Sequence, residues 1–96
     1  MKTREEILSV LAEKKPGWER RFGLKSLALF GSFARGDQRE SSDVDILVEV
    51  DASIGLEFVT LAEDIESSLG IPTEVVSRGA VKPNHWTVIE RELLYV

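Results

Sequence analysis

The chain has 96 residues, 43% of them hydrophobic, with no cysteine and a formal net charge of −5 from 12 basic and 17 acidic side chains. That length gives one domain, residues 1–96, with a modest core and no disulfide to staple it. The acidic balance argues against direct grip on nucleic-acid phosphates, no apolar run approaches the ~20 residues of a bilayer span, and the charged start "MKTREEILSV" is no signal peptide, so a reducing cytoplasm is the expected location.

Thr3 and Glu6 have capping-box spacing, which starts a helix near Arg4 with Ile7, Val10 and Leu11 as its apolar stripe. Pro16 ends that helix near Lys15 and opens a short second segment, closed by Gly23 as C-cap. Lys14, Lys15, Arg20, Arg21 and Lys25 cluster here, either as a solvated face or as a docking patch for an acidic partner. "KSLALF", residues 25–30, reads as a buried central strand, and residues 31–42 as a Gly/Ser-rich loop with one helical turn. "DVDILVEV" alternates, with Val44, Ile46, Val48 and Val50 on one face and Asp43, Asp45, Leu47 and Glu49 on the other.

Leu56, Val59, Leu61, Ala62, Ile65 and Leu69 follow helical spacing up to Gly70, and "TEVVS" is a third strand. Residues 84–94 read as a last helix with Val88, Ile89, Leu93 and Leu94 inward. The order helix, strand, loop, strand, helix, strand, helix is α/β or α+β. Lone His85 has no histidine or cysteine to share a zinc site and falls at a helix start. Trp18, Trp86 and Tyr95 read as packing residues, and Glu63, Asp64 and Glu66 as a solvated acidic face.

Chemistry concentrates in "LFGSFARGDQRESSDVDILVEV", residues 29–50. Asp43 and Asp45 return to one strand face about 7 Å apart at a rise of ~3.3 Å per residue. Like charges there repel, and a hard divalent cation such as Mg²⁺ or Mn²⁺ removes the conflict. Taken alone, two acids simply exposed at a strand's solvent end are the better account of the pattern. Gly31 and Ser32 add a second signal. A glycine after a strand lets backbone approach a phosphate, free amides at a helix start attract anions, and the Ser32 hydroxyl adds a donor.

At this separation, Gly31-Ser32, ten residues, then Asp43-x-Asp45, the chain resembles the DNA polymerase beta-like nucleotidyltransferases, and within them the minimal nucleotidyltransferase (MNT) family. The resemblance runs from "REEIL" through "SLALFGS" and Lys82-Pro83 to "ELLYV". It implies that Asp43 and Asp45 hold metal and that Gly31 and Ser32 hold the triphosphate of ATP. Arg35 pairs with phosphate or, the favoured reading, braces the loop through an internal carboxylate. Ser42, which shapes the turn before Asp43, completes the nucleotide-binding candidates, and Phe33 packs or lies beside the base.

The superfamily's third acid, usually aspartate, is both metal ligand and proton acceptor; here the matching position is Glu74 in "TEVV". Glutamate is one methylene longer, and a misplacement of about 1 Å can cost ~10²-fold in rate. If Gly31, Asp43 and Glu74 serve one nucleotide, strands one and two run antiparallel and strands two and three parallel, with the helix near 56–69 as crossover. The implied function is Mg²⁺-dependent transfer of AMP from ATP to a hydroxyl, a tyrosine, of a HEPN toxin, as its antitoxin. The alternative is a weak or inactive nucleotide-binding antitoxin that works by occlusion. A homo- or hetero-oligomer is compatible with either.

Overall fold

The computed structural model describes residues 2–96. Helix α1 spans Arg4–Phe22, and its start follows from a complete capping box. The Glu6 amide donates to Thr3 Oγ1 at 3.2 Å and the Thr3 amide to Glu6 Oε1 at 3.0 Å. Gly23, at φ 69°, closes the helix in the left-handed region. The expected break at Pro16 does not occur, and α1 runs through it. Proline inside a helix costs about 3 kcal/mol. Trp18 and Phe22 offset that loss, because continuing the helix carries them into the same buried stripe as Ile7 and Leu11.

The chain then forms β1 (Ser26–Phe30), the single turn α2 (Ser32–Arg35), β2 (Val44–Glu49), α3 (Glu57–Leu69), β3 (Thr73–Ser77), α4 (Pro83–Ile89) and β4 (Leu94–Tyr95), with 3-10 turns at Ala52–Ile54 and Arg78–Ala80. The four-stranded sheet has the order β3-β2-β1-β4. β1 is antiparallel to β2 and β4, whereas β2 and β3 are parallel across α3. The mixed sheet thus has the expected strand directions. Leu27 and Leu29 of β1 join Val44, Ile46 and Val48 of β2 in the main core with Ile7, Leu11, Leu61, Ile65 and Leu69 from the helices. That arrangement leaves the odd-numbered positions of β2, beginning with Asp45, on the opposite face.

Three expectations change. Leu56 precedes α3 instead of lying in it and is 88% exposed; Val59 is also exposed, and Phe58 packs on the core in their place. The last helix stops at Ile89, and residues beyond it turn back as β4 on the edge of β1. Strand β1 is buried, so its outer N–H and C=O groups need partners that a helix through residue 94 would not supply. As a result Val88 and Tyr95 are exposed rather than packed inward, while Leu93 and Leu94 are half-buried. Asp64 is not simply solvated: it accepts the Trp18 indole N–H at 2.6 Å and ties α3 to α1. Trp86 stacks under the Arg78 guanidinium, 3.6 Å from its ring centre. Among the described residues no helix is long and apolar enough to cross a membrane.

Trp18→Phe keeps most of the buried ring and removes the bond to Asp64. It is expected to cost about 1.5–3 kcal/mol, the range for hydrogen bonds to charged groups. Urea unfolding of the two proteins measures the difference.

Candidate active site

The site is organised around Gly31, which follows β1 at φ 76°, ψ −156°. Only glycine occupies that region readily. A Cβ built there would collide with the Asp45 carboxylate, so the absence of a side chain lets the end of β1 lie against Asp45. The cross-strand register, Phe30 opposite Asp45, produces this approach. Beyond Gly31 the chain makes one helical turn. The Arg35 amide donates to the Gly31 carbonyl at 3.0 Å, and the Gly36 amide to the Ser32 carbonyl at 2.9 Å.

That turn is held from both sides. From α1, Arg4 Nη1 donates to the Ala34 carbonyl at 3.0 Å. From the segment before β4, Glu92 accepts from Arg35 Nη1 at 2.6 Å and from the Gly31 amide at 3.1 Å. Arg35 Nε also reaches Asp37 at 3.2 Å. Arg35 therefore pairs with internal carboxylates, in line with its favoured reading as a brace. Phe33 is buried in the core, which agrees with the packing option for it. Among the described residues the Ser32 hydroxyl has no protein hydrogen-bond partner, while Ser42 Oγ accepts the Arg39 amide at 2.9 Å and closes the turn before Asp43.

Asp43 is exposed just before β2, Asp45 is half-buried within it, and Glu74 is exposed on β3. Asp45 and Glu74 are direct register partners on parallel strands, so both side chains leave the same face. Burial, then the charges of Glu74 and Asp43, push the Asp45 carboxyl up to about 6, with Arg35 opposing. Concentrated carboxylate oxygens of this kind suit a hard cation. Among the described residues no three acidic, histidine or cysteine side chains form a ready-made metal cage. Mg²⁺ rarely uses one; it is usually held by one or two carboxylates with substrate phosphates and water. The donor set fits that partial site.

Two clefts adjoin the acids. One, of about 370 Å³, is lined by Lys2, Phe33, Arg39, Ser42, Asp43 and Pro72. The other, of about 310 Å³, is lined by Phe30, Asp45, Glu74, Val76, His85 and Ile89. His85, read from sequence as a helix-start residue, is indeed near the start of α4 and exposed, but it also borders this second cleft. Glu92 is the site residue that sequence reasoning missed. The only cue was the need of Arg35 for an internal carboxylate, and nothing along the chain singled out which acid.

The antiparallel β1–β2 pair, the tight glycine turn and acids on parallel β2 and β3 define a nucleotidyltransferase-type fold. The nucleotidyltransferase-domain family matches residues 6–96. The protein adenylyltransferase MntA of Thermococcus cleftensis is 38% identical over 97 residues, covering 100% of this chain and 98% of the relative. The Methanocaldococcus jannaschii protein MJ0128 is 41% identical over 98 residues with both chains fully covered. A solved structure provisionally assigned as a minimal nucleotidyltransferase superposes with a TM-score of 0.68 at 32% identity, over 95% of this chain and 86% of that one. A tri-AMPylated Shewanella oneidensis HEPN toxin in complex with its MNT antitoxin matches in fold at a TM-score of 0.60 and 19% identity, over 96% and 66% of the two chains. The chain belongs to the minimal nucleotidyltransferase family.

Asp45→Asn removes the carboxylate conflict and should stabilise the apoprotein. The folded pKa near 6 lies above the ordinary aspartate value, so the native state holds more protons between those two values. Stability of the wild type therefore falls as pH rises from about 4 to about 6, and the full cost is present above that window. The variant is expected to gain about 1–2 kcal/mol at about pH 7.5, after allowing for solvent screening, and nothing at about pH 4. Thermal unfolding at both pH values, with chelator present, checks the sign.

Proposed function

We propose that this chain is a protein adenylyltransferase that acts as an antitoxin, transferring AMP from ATP to a tyrosine hydroxyl of a HEPN toxin in the cytoplasm, with Mg²⁺ or Mn²⁺. The observation that carries the reading is the register that sets Asp45 beside Glu74 while Gly31 lies against Asp45. The names of the relatives support AMP transfer to protein. The MNT–HEPN complex, which shares the fold, supports the class of partner.

In this reading residues 1–96 work as one domain. Asp43 and Asp45 hold the metal-bound triphosphate at the mouth of the sheet. Gly31 lets the backbone come close to it, and the Ser32 hydroxyl donates to a phosphate oxygen. Ser42 acts through the turn that presents Asp43, and Arg35 by keeping α2 in place. A cation held by Asp43 and Asp45 would offset charge that builds on the α-phosphate and the departing pyrophosphate. The acceptor side chain enters the cleft bordered by Phe30, His85 and Ile89, whose apolar walls suit a phenol. Its oxygen forms a bond to the α-phosphorus as the bond to pyrophosphate breaks, and Glu74 takes the proton.

Occlusion without transfer is the second reading, and one observation favours it: Glu74 is exposed on an edge strand and longer than the usual aspartate. The two separate in one assay. The protein is mixed with the HEPN partner, Mg²⁺ and α-labelled ATP, and label is sought on the partner. Transfer predicts label that falls by ~10³-fold or more in the Asp43→Ala/Asp45→Ala double variant. A stable, unlabelled complex with wild-type protein establishes occlusion. Glu74→Ala that labels as fast as wild type removes Glu74 from the mechanism.

A further inference from the structure

Glu92 has no part in the reaction scheme above, yet it makes the shortest ion pair at the site. Its position follows from the sheet. β1 and β4 pair Ala28 with Tyr95 and Leu29 with Leu94, and the Val96 amide donates to the Leu27 carbonyl at 2.9 Å. Continued by two residues, the same register brings Glu92 opposite Gly31. There the ladder changes character. The Gly31 N–H is met by the Glu92 side chain, Oε2 accepting at 3.1 Å, while Oε1 accepts from Arg35 Nη1 at 2.6 Å.

One carboxylate thus ties together the residue before α2 and the last residue of α2. Gly31 is buried, so its amide depends on an acceptor from the protein. The Glu92 side chain is itself only 20% exposed. The carboxylate also lies on the β4 side of β1, whereas Asp45 comes from the β2 side. Gly31 is therefore gripped between two strands. Its N–H is held from one edge, and its Cα packs against Asp45 at the other.

We propose that Glu92 is a positioning residue: it holds the Gly31–Arg35 turn in the conformation that receives the nucleotide, and so makes β4 part of the site. The functional half of this inference rests on the nucleotide reading above; the structural half does not. Without the carboxylate, the Gly31 amide loses its acceptor and Arg35 loses its shorter brace. The turn then samples conformations in which Gly31 no longer lies against Asp45, and nucleotide must first reorder it.

The test uses the full chain as wild type, Glu92→Ala and Glu92→Gln. Amide hydrogen exchange is read at Gly31 and at Ile46, and Mg-ATP affinity is read by calorimetry. Glu92→Ala is expected to speed Gly31 exchange and to weaken Mg-ATP binding, each about tenfold, the scale of one charge-assisted hydrogen bond. Ile46 exchange stays as in wild type, which shows that the sheet is intact. In transfer assays the KM for ATP rises while the KM for the protein acceptor does not. Glu92→Gln retains an acceptor oxygen and restores most of the Gly31 protection. Should Glu92→Ala not fold, Glu92→Asp, one methylene short of spanning both donors, is read in the same way. Unchanged Gly31 exchange overturns the brace. Tighter Mg-ATP binding in Glu92→Ala also overturns it, since Glu92 would then be competing with phosphate. If wild type binds no Mg-ATP, the nucleotide reading has failed, and Gly31 exchange alone decides the brace.

Discussion

The close approach of Gly31 to Asp45 is the constraint on which the rest of the site depends. It requires a backbone conformation that side-chain-bearing residues avoid, and it leaves no room for a Cβ. Antiparallel pairing of β1 with β2 brings the end of one strand to the start of the other. The glycine then lets the turn fold down onto the carboxylate. Three contacts hold the chain around this approach: Arg4 holds the far end of the turn, Glu92 its near end, and Ser42 the loop that returns to β2.

The two faces of the sheet carry different burdens. One face, with Leu27, Leu29, Ile46 and Val48, packs on α1 and α3 and supplies the core of a small domain. The other begins with Asp45 and Glu74 side by side and is flanked by the short α4 and the 3-10 turn at Arg78–Ala80. Burying Asp45, and setting Glu74 and Asp43 near it, is unfavourable for the folded protein and pushes the Asp45 carboxyl up. Under the proposed function, a bound cation and phosphates would relieve that cost. The Trp18–Asp64 bond and the α1 stripe help keep the domain folded against that repulsion.

Much of this was legible along the chain because it is local. The Thr3–Glu6 box, the alternation of "DVDILVEV", Gly23 and Gly70 as C-caps, and the strand at "TEVVS" all follow from neighbouring residues. The strand directions followed from asking that Gly31, Asp43 and Glu74 meet. The failures were places where a distant partner overruled a local rule. Pro16 stays inside α1 because Trp18 and Phe22 have a core to enter. Residues 84–94 read as one helix, but the open edge of β1 turns the end of that stretch into β4. Asp64 reads as solvated because nothing near it in the chain points to Trp18.

By itself, then, the sequence marked the candidate residues for the protein's chemistry. Asp43 and Asp45, with Gly31 and Ser32 ten residues before them, stand out by type and spacing only when taken together, and the family resemblance adds Glu74. Only the tertiary structure decided how they are held. The pairing of Asp45 with Glu74, the two clefts beside them and the grip of Glu92 on Gly31 and Arg35 all join residues far apart in the chain. Such contacts depend on strand register and edge pairing, and these are set by burial and by hydrogen bonds that no short stretch of sequence contains.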